Sequence, residues 1–310
     1  MFKDIKNQSY RTIRLDILIQ FFQLKHLLLK KKNLLLNNIS PRNDLTEFVR
    51  LYRIIDFSFV DKVHTLNPTK SYRPRIEHCL QFTPFDSEKV TYPDNDKSIS
   101  KSVALVGQHT ILNNRQLGNQ FLNFQIVFQP GILAMLLKTP INELTNCYVN
   151  AEDYLGNSVN DINCKLALCN NKHEMILVIE EFLNSIFKHQ KFRKTSIYNV
   201  AKHMIASFAI KPIEWYANQA NMCYRQFDRV FKTETGVNPK VFQSLIKLDT
   251  AYLLKNRNPQ QNWSSIALES GFYDYQHLSK NYLKYIGYTP IDFNILEQSA
   301  PERHFGDFEH

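Results

Sequence analysis

Between residues 213 and 290 the sequence runs twice through one order of signals: a short amphipathic helix, a tight turn, a second amphipathic helix, a closing glycine, and a polar residue followed by proline. On the first pass Ile213, Tyr216 and Ala217 recur at helical spacing, and Phe227, Val230 and Phe231 share one face of the next helix. Asn221 sits between them, where a reversal between helices often needs the left-handed conformation that Asn tolerates. Gly236 closes the unit, and Asn238-Pro239 opens a longer helix over 241–254. On the second pass Trp263, Ile266 and Ala267 lie on the first helix and Ser270-Gly271-Phe272 form the turn. Asp274 is the expected N-cap of a helix over 275–285, Gly287 closes it, and Thr289-Pro290 starts a last short helix. A residue as small as Ala217 lets two helices cross steeply at close approach. The pattern predicts two helix-turn-helix units, 213–236 and 263–287, held apart by one spacing helix.

The stretch Gly271-Phe272-Tyr273-Asp274-Tyr275-Gln276-His277-Leu278-Ser279-Lys280, followed by Tyr282, Lys284, Gly287, Thr289 and Pro290, closely resembles the signature of the AraC/XylS transcriptional regulators. Phe227-Asp228-Arg229-Val230-Phe231-Lys232-Thr233-Glu234-Thr235-Gly236, with Pro239, resembles the first unit of the same family. Two spaced motifs over about a hundred residues are far more specific than a lone helix-turn-helix. The chain departs from the family pattern at Asn221, where Gly is usual, at Lys280, where Arg is common, and at Leu278, where Phe is frequent.

The resemblance implies that the second helix of each unit enters a major groove of duplex DNA, the two lying about one helical turn apart. On the first such helix Arg225 and Arg229 are four residues apart and share a face, with Gln226 and Asp228 beside it. Arg reads guanine with two parallel hydrogen bonds, Gln reads adenine, and Asp accepts from cytosine. The expected base-reading residues are therefore Arg225, Gln226, Asp228 and Arg229 in the first unit, and Tyr275, Gln276, Ser279 and Lys280 in the second. Asp228 has the alternative role of pairing with Arg225 or Arg229 and holding it in place. Lys232, Lys240 and Lys284 suit phosphate contacts, which position a protein without specifying sequence. His277 is expected to cap or pack.

Upstream the pattern differs. From about Asp44 to Gln129 short apolar or alternating runs, Ile76 to Phe82, Ser102 to Val106 and Phe121 to Phe128, are separated by turn-rich pieces such as Tyr92-Pro93-Asp94-Asn95 and read as strands. After Gln129-Pro130-Gly131 the period turns helical, over Ile132 to Leu137, Val159 to Leu168 and Glu174 to Phe187. The fold class expected is an α+β N-terminal domain, a small antiparallel barrel or sandwich plus helices, followed by an all-α double helix-turn-helix domain. The divisions expected are an extension over 1–40, a sensory or dimerisation domain over 41–190, the DNA-binding domain over 191–298 and a tail over 299–310. Gly107-Gln108, Phe124 to Gly131, Ile141-Asn142-Glu143-Leu144 and Tyr154-Leu155-Gly156 resemble, more loosely, the N-terminal domain of some AraC-like regulators. That resemblance implies ligand sensing or dimerisation and assigns no effector-binding residue.

Composition bounds the rest. A chain of 310 residues accommodates two cores, and a formal charge of +9 suits a polyanionic partner, since each Lys or Arg set against a phosphate releases condensed counterions. Leu15 to Leu29 is the most apolar stretch, but Asp16, Lys25 and His26 interrupt it and no small-residue cleavage site follows, so it reads as an amphipathic helix. Cys79, Cys147, Cys164, Cys169 and Cys223 are odd in number and lack the paired spacing of a zinc site, which with no export signal points to a reducing cytoplasm. His64, His78 and His109 lack the spacing of metal ligands, and no nucleophile elbow, phosphate-binding glycine loop or reactive-cysteine context is present. Neither enzymatic activity nor a metal or other cofactor is expected. The partners expected are double-stranded DNA and RNA polymerase, with a small-molecule effector and a second copy of the chain as further ones, and no membrane. The alternative is a constitutive DNA-binding protein whose N-terminal domain only dimerises.

Overall fold

Strand β9 (Gln120–Phe128) organises the N-terminal half, because it is buried on both faces along almost its whole length. Its alternate residues Leu122, Phe124, Ile126 and Phe128 point into an apolar core, while Asn123, Gln125 and Val127 point the other way. The computed structural model describes residues 35–58, 69–93, 95–188, 193–208 and 211–300. The helix expected around Leu15 to Leu29, and His64, lie outside them.

Around β9 runs a six-stranded antiparallel sheet with β1 (Leu35–Ile39), β2 (Val49–Ser58), β4 (Cys79–Phe82), β7 (Val103–Val106) and β10 (Tyr148–Asn150), in the order β1-β2-β9-β4-β7-β10. A second antiparallel sheet has the order β3-β8-β5-β6, from β3 (Thr69–Tyr72), β5 (Lys89–Tyr92), β6 (Asn95–Ile99) and β8 (Asn113–Gln116). Both sheets are open, so of the two architectures expected from sequence the closed barrel does not form. Residues 35–39, which the sequence assigns to an extension, instead pair with β2, Leu35 opposite Asp56 through Ile39 opposite Tyr52.

One face of the larger sheet is covered by helices. Leu80, Phe82, Val103, Leu105 and the inward residues of β9 pack with Val159 and Ile162 of α3 (Ser158–Leu168) and with Met175, Ile179, Phe182 and Leu183 of α4 (Lys172–Phe187). Two shorter helices, α1 (Ile132–Leu137) and α2 (Glu152–Leu155), precede them. Burying each such side chain stabilises by about 1.5–3 kcal/mol, so this layer supplies the main driving force of the N-terminal half.

The opposite face, turned toward the second sheet, is mixed: Cys79, Ala104, Val106, Val127 and Tyr148 pack with Val90 of β5, and a buried polar network runs beside them. Arg53 bonds Glu77 at 2.7 and 2.8 Å and Gln125 at 3.0 Å; Gln125 bonds Gln81 at 3.2 Å; Gln81 bonds Glu88 at 2.6 Å; and Arg115 bonds Glu88 at 2.9 Å. This chain of buried, mostly charge-assisted bonds shares the space between the sheets with that apolar cluster.

The C-terminal half is helical: α5 (Ser196–Ala206), α6 (Ile213–Gln219), α7 (Tyr224–Thr235), α8 (Pro239–Arg257), α9 (Trp263–Glu269), α10 (Tyr275–Ile286) and α11 (Pro290–Gln298). Its core collects Tyr216, Phe227, Phe231, Phe242, Leu245, Ile266, Leu278, Tyr282 and Phe293, all essentially inaccessible to solvent. The two halves interlock, because Ile76 and Leu112 from the β-rich half join this core while Tyr198 of α5 joins the other. No helix among the described residues is long and apolar enough to cross a membrane.

Candidate nucleic-acid interface

Each pair of short helices turns by the same backbone device. Between α6 and α7, Asn221 takes the left-handed conformation at φ 55°, its N–H donates to Asn218 at 3.0 Å, and Met222 N–H donates to Ala217 at 3.0 Å. Between α9 and α10, Gly271 takes φ 83°, its N–H donates to Leu268 at 3.0 Å, and Phe272 N–H donates to Ala267 at 2.9 Å. Asn221 thus does in the first turn what glycine does in the second. Both second helices stop at a left-handed glycine, Gly236 at φ 86° and Gly287 at φ 84°.

The starts differ. Asp274 accepts the His277 N–H at 2.7 Å and caps α10, whereas Cys223 at the head of α7 offers no side-chain cap. His277 packs as well as following the cap: its ring stands edge-on to Phe272 at 5.2 Å and stacks on Tyr273 at 5.6 Å.

Between the units α8 is continuous over 19 residues, with Asn238 capping it through a 2.9 Å bond from Val241 N–H. Lys247 on α8 donates to the Gly271 carbonyl at 2.8 Å and fixes the second turn to this helix; burial holds its ammonium below the ordinary lysine value. Trp263 of α9 stands edge-on to Tyr282 of α10 at 6.1 Å.

On α7, Phe227 and Phe231 face the core while Arg225, Gln226, Arg229 and Lys232 are exposed, with Lys240 exposed at the start of α8. Asp228 is half-buried, and among the described residues it forms no ion pair with Arg225 or Arg229. On α10, Leu278, Tyr282 and Tyr285 face inward, Gln276, Lys280 and Lys284 are exposed, and Tyr275 and Ser279 are half-buried beside them. Lys240 lies 5.8 Å from the Tyr224 ring and Lys284 lies 4.9 Å from the Tyr285 ring. Sequence reasoning passed over Tyr273, which is 87% exposed immediately before the cap of α10, and over Tyr224, exposed on the first turn of α7. The signal in each case is an aromatic at the head of the second helix, outside its apolar stripe.

The β-rich half reaches this interface at the far end of α7. Thr145 donates to the Gly236 carbonyl at 2.7 Å, with Gln108 and His78 also beside Gly236; within the helical half, Thr195 at the start of α5 donates to Glu234 at 2.6 Å. Farther along, Arg73 pairs with Asp249 on α8 and lies 3.8 Å over the Tyr252 ring, and Tyr252 donates to Glu297 of α11 at 2.7 Å.

Two crossing helices with a cationic outer face, repeated once along a spacing helix, make a double helix-turn-helix domain. Residues 216–294 match the family model described as "Helix-turn-helix domain". No curated protein matches the sequence. Among solved structures the chain is similar to ToxT from Vibrio cholerae, at 10% identity and a TM-score of 0.44, over 79% of this chain and 97% of that one. It is also similar to unsaturated fatty acid bound wild-type ToxT from Vibrio cholerae strain SCE256, at 14% identity and 0.44, over 84% and 97%. A further likeness is to the AraC-like transcriptional activator CuxR, at 11% identity and 0.23, over 70% and 86%.

Proposed function

We propose that the protein reads a specific operator through two successive major grooves, α7 lying in one and α10 in the next. The observation that carries this is the joint exposure of Arg225, Gln226, Arg229 and Lys232 on α7 and of Gln276, Lys280 and Lys284 on α10, each opposite its helix's apolar face. At about 1.5 Å per residue α8 is about 28 Å long, of the same order as one turn of DNA. Arg225, Gln226, Arg229, Gln276 and Lys280 read base edges, supported at the rim by Asp228, Tyr275 and Ser279; Lys232, Lys240 and Lys284 bind phosphates. The protein acts in the cytoplasm by binding rather than by catalysis, with RNA polymerase downstream. The β-rich half senses a small molecule, a second copy of the chain, or both, and passes the result to α7 and α8.

Selection of bound sequences from a random duplex pool tests this. The wild type is expected to enrich two short motifs about one helical turn apart; Arg229→Ala relaxes one of them and Gln276→Ala the other. Binding that is uniform across sequences and only salt-sensitive would contradict it.

A further inference from the structure

The two reading helices match position by position. Each follows an N-cap residue, Cys223 or Asp274, runs 12 residues, and stops at a left-handed glycine, Gly236 or Gly287. Phe227 then corresponds to Leu278 and Phe231 to Tyr282, all four buried. On the other side Arg225, Asp228, Arg229 and Lys232 of α7 correspond to Gln276, Ser279, Lys280 and Leu283 of α10, and in both helices the second of the four is half-buried while the rest are exposed. At about 3.6 residues per turn, positions spaced i, i+3, i+4 and i+7 fall within about a third of the helix circumference. The groove-reading helix of a homeodomain uses the same spacing.

Leu283 is the apolar member of this series. It is 50% exposed and belongs to none of the apolar clusters of the described residues, the buried face of α10 being made by Leu278, Tyr282, Tyr285 and Ile286. A lone exposed aliphatic side chain needs no explanation by itself, and Leu268, Ile291 and Ile295 are of that kind, since they lie on α9 and α11 rather than on a reading helix. Leu283 differs in its place, on one face with Gln276, Ser279 and Lys280.

We infer that Leu283 is a fourth base-reading residue of α10, that it packs on the C5-methyl group of a thymine, and that the motif read by α10 is fixed as an A·T pair at that point. The inference rests on the reading of α10 as a major-groove helix and names part of the sequence it selects. Of the four bases, thymine alone offers an apolar group in the major groove, and apolar side chains recognise it there. At the corresponding position of α7, Lys232 has a long stem that carries its ammonium to a phosphate at the groove wall. Leucine has neither that reach nor the charge. Set over a thymine methyl, it removes apolar surface from water on both partners. Gln276, two turns earlier on the same face, suits adenine. The α10 face therefore favours A·T pairs, whereas that of α7, with Arg225 and Arg229, favours guanine.

A uracil scan tests this. In the duplex selected by the wild type, each thymine of the α10 motif is replaced in turn by deoxyuridine, which keeps the base pair and removes only the methyl group, and the affinity of the full chain is measured at fixed salt. At one position a loss of about three- to fivefold is expected, the value of one buried methyl. Leu283→Ala is expected to weaken binding to the thymine duplex by a similar or larger factor and to abolish the difference between thymine and uracil there. Leu283 lies outside the core and alanine favours helix, so the variant keeps its fold. Leu283→Lys, which copies Lys232, also loses the discrimination and steepens the dependence on salt. A scan that is flat at every thymine, or a loss on uracil that Leu283→Ala shows equally, overturns the inference. Two selected motifs with a flat scan leave the proposed function standing without this contact; selection of no motif at all removes the proposed function, and the inference falls with it.

Discussion

In the first helix-turn-helix unit α7 ends against the β-rich half, Thr145 bonded to the Gly236 carbonyl with Gln108 and His78 beside it, whereas α10 in the second unit ends at Gly287 with open space around it. The backbones of the two turns are nearly interchangeable; their surroundings are not. The first unit is anchored at its C-terminal end and uncapped at its start, while the second is capped at its start by Asp274 and held from below by Lys247. A change in the β-rich half therefore meets the end of α7 at Gly236, while near the second unit it meets α8 through Arg73 and Asp249. The difference sets two helices of one design in unequal surroundings: under the proposed function, α7 is the reader coupled to the β-rich half and α10 the one held by its own cap and by α8.

The largest test of this asymmetry is acid. His78 beside Gly236 is pushed down to about 4 by burial and by Arg50, and His109 to about 3 by burial and by Arg115. Each binds its proton more readily in the unfolded chain, so their contribution is fully present above about pH 6.5 and is lost as pH falls toward 4 and then 3, on the order of a few kcal/mol in all. Hydrogen exchange between pH 6.5 and 4 is expected to show the β-rich half and the end of α7 losing protection while α10 keeps it. Loss in both helices together would erase the distinction.

Next in size are the closing glycines. Gly236→Ala and Gly287→Ala each carry about 1–2 kcal/mol of left-handed strain. At Gly236 the added Cβ would also come within 3.2 Å of the Gln108 Cβ and 3.3 Å of the Thr145 hydroxyl, while at Gly287 it meets nothing within 4 Å. Denaturant unfolding should place Gly236→Ala about 1 kcal/mol below its counterpart, by analogy with the cost of modest overpacking; equal losses would mean that α7 is not clamped.

The smallest effect concerns the helix starts. Asp274→Ala should cost about 1 kcal/mol through its lost cap, whereas Cys223→Ala should be near neutral and Cys223→Ser mildly stabilising. Melting temperatures of the three variants check the order.

Much of this was legible in the sequence where structure is local. The apolar spacing of 213–236 and 263–287, Asn221 and Gly271 in the turns, and Asp274 as a cap are written in adjacent residues, and α1 spans the same Ile132–Leu137 that its periodicity marks. The second sheet was far less visible, since β3, β6 and β8 are largely polar strands, Thr-Lys-Ser-Tyr, Asn-Asp-Lys-Ser-Ile and Asn-Asn-Arg-Gln, with little alternation to betray them. Strand β1 escaped for a related reason: Asn37 and Asn38 break an apolar run, and only the pairing with β2 makes it a strand. Whether strands close into a barrel depends on partners far apart in the chain, which local pattern does not encode. Buried Arg53, Arg73 and Arg115 read as surface residues until Glu77, Asp249 and Glu88 are brought beside them. On the interface, the exposure of Arg225, Gln226 and Arg229 followed from helical phase, whereas that of Tyr273 depends on how the turn leaves α9.

The most direct test of two readers on one rigid spacer is to insert five base pairs between the two selected motifs and measure affinity at fixed salt. If α8 holds α7 and α10 in a set relation, the half-turn insertion carries the second motif to the opposite face of the duplex, and affinity falls to that of a single motif. Unchanged affinity would mean that the units bind independently, and the account of one two-groove reader would fail.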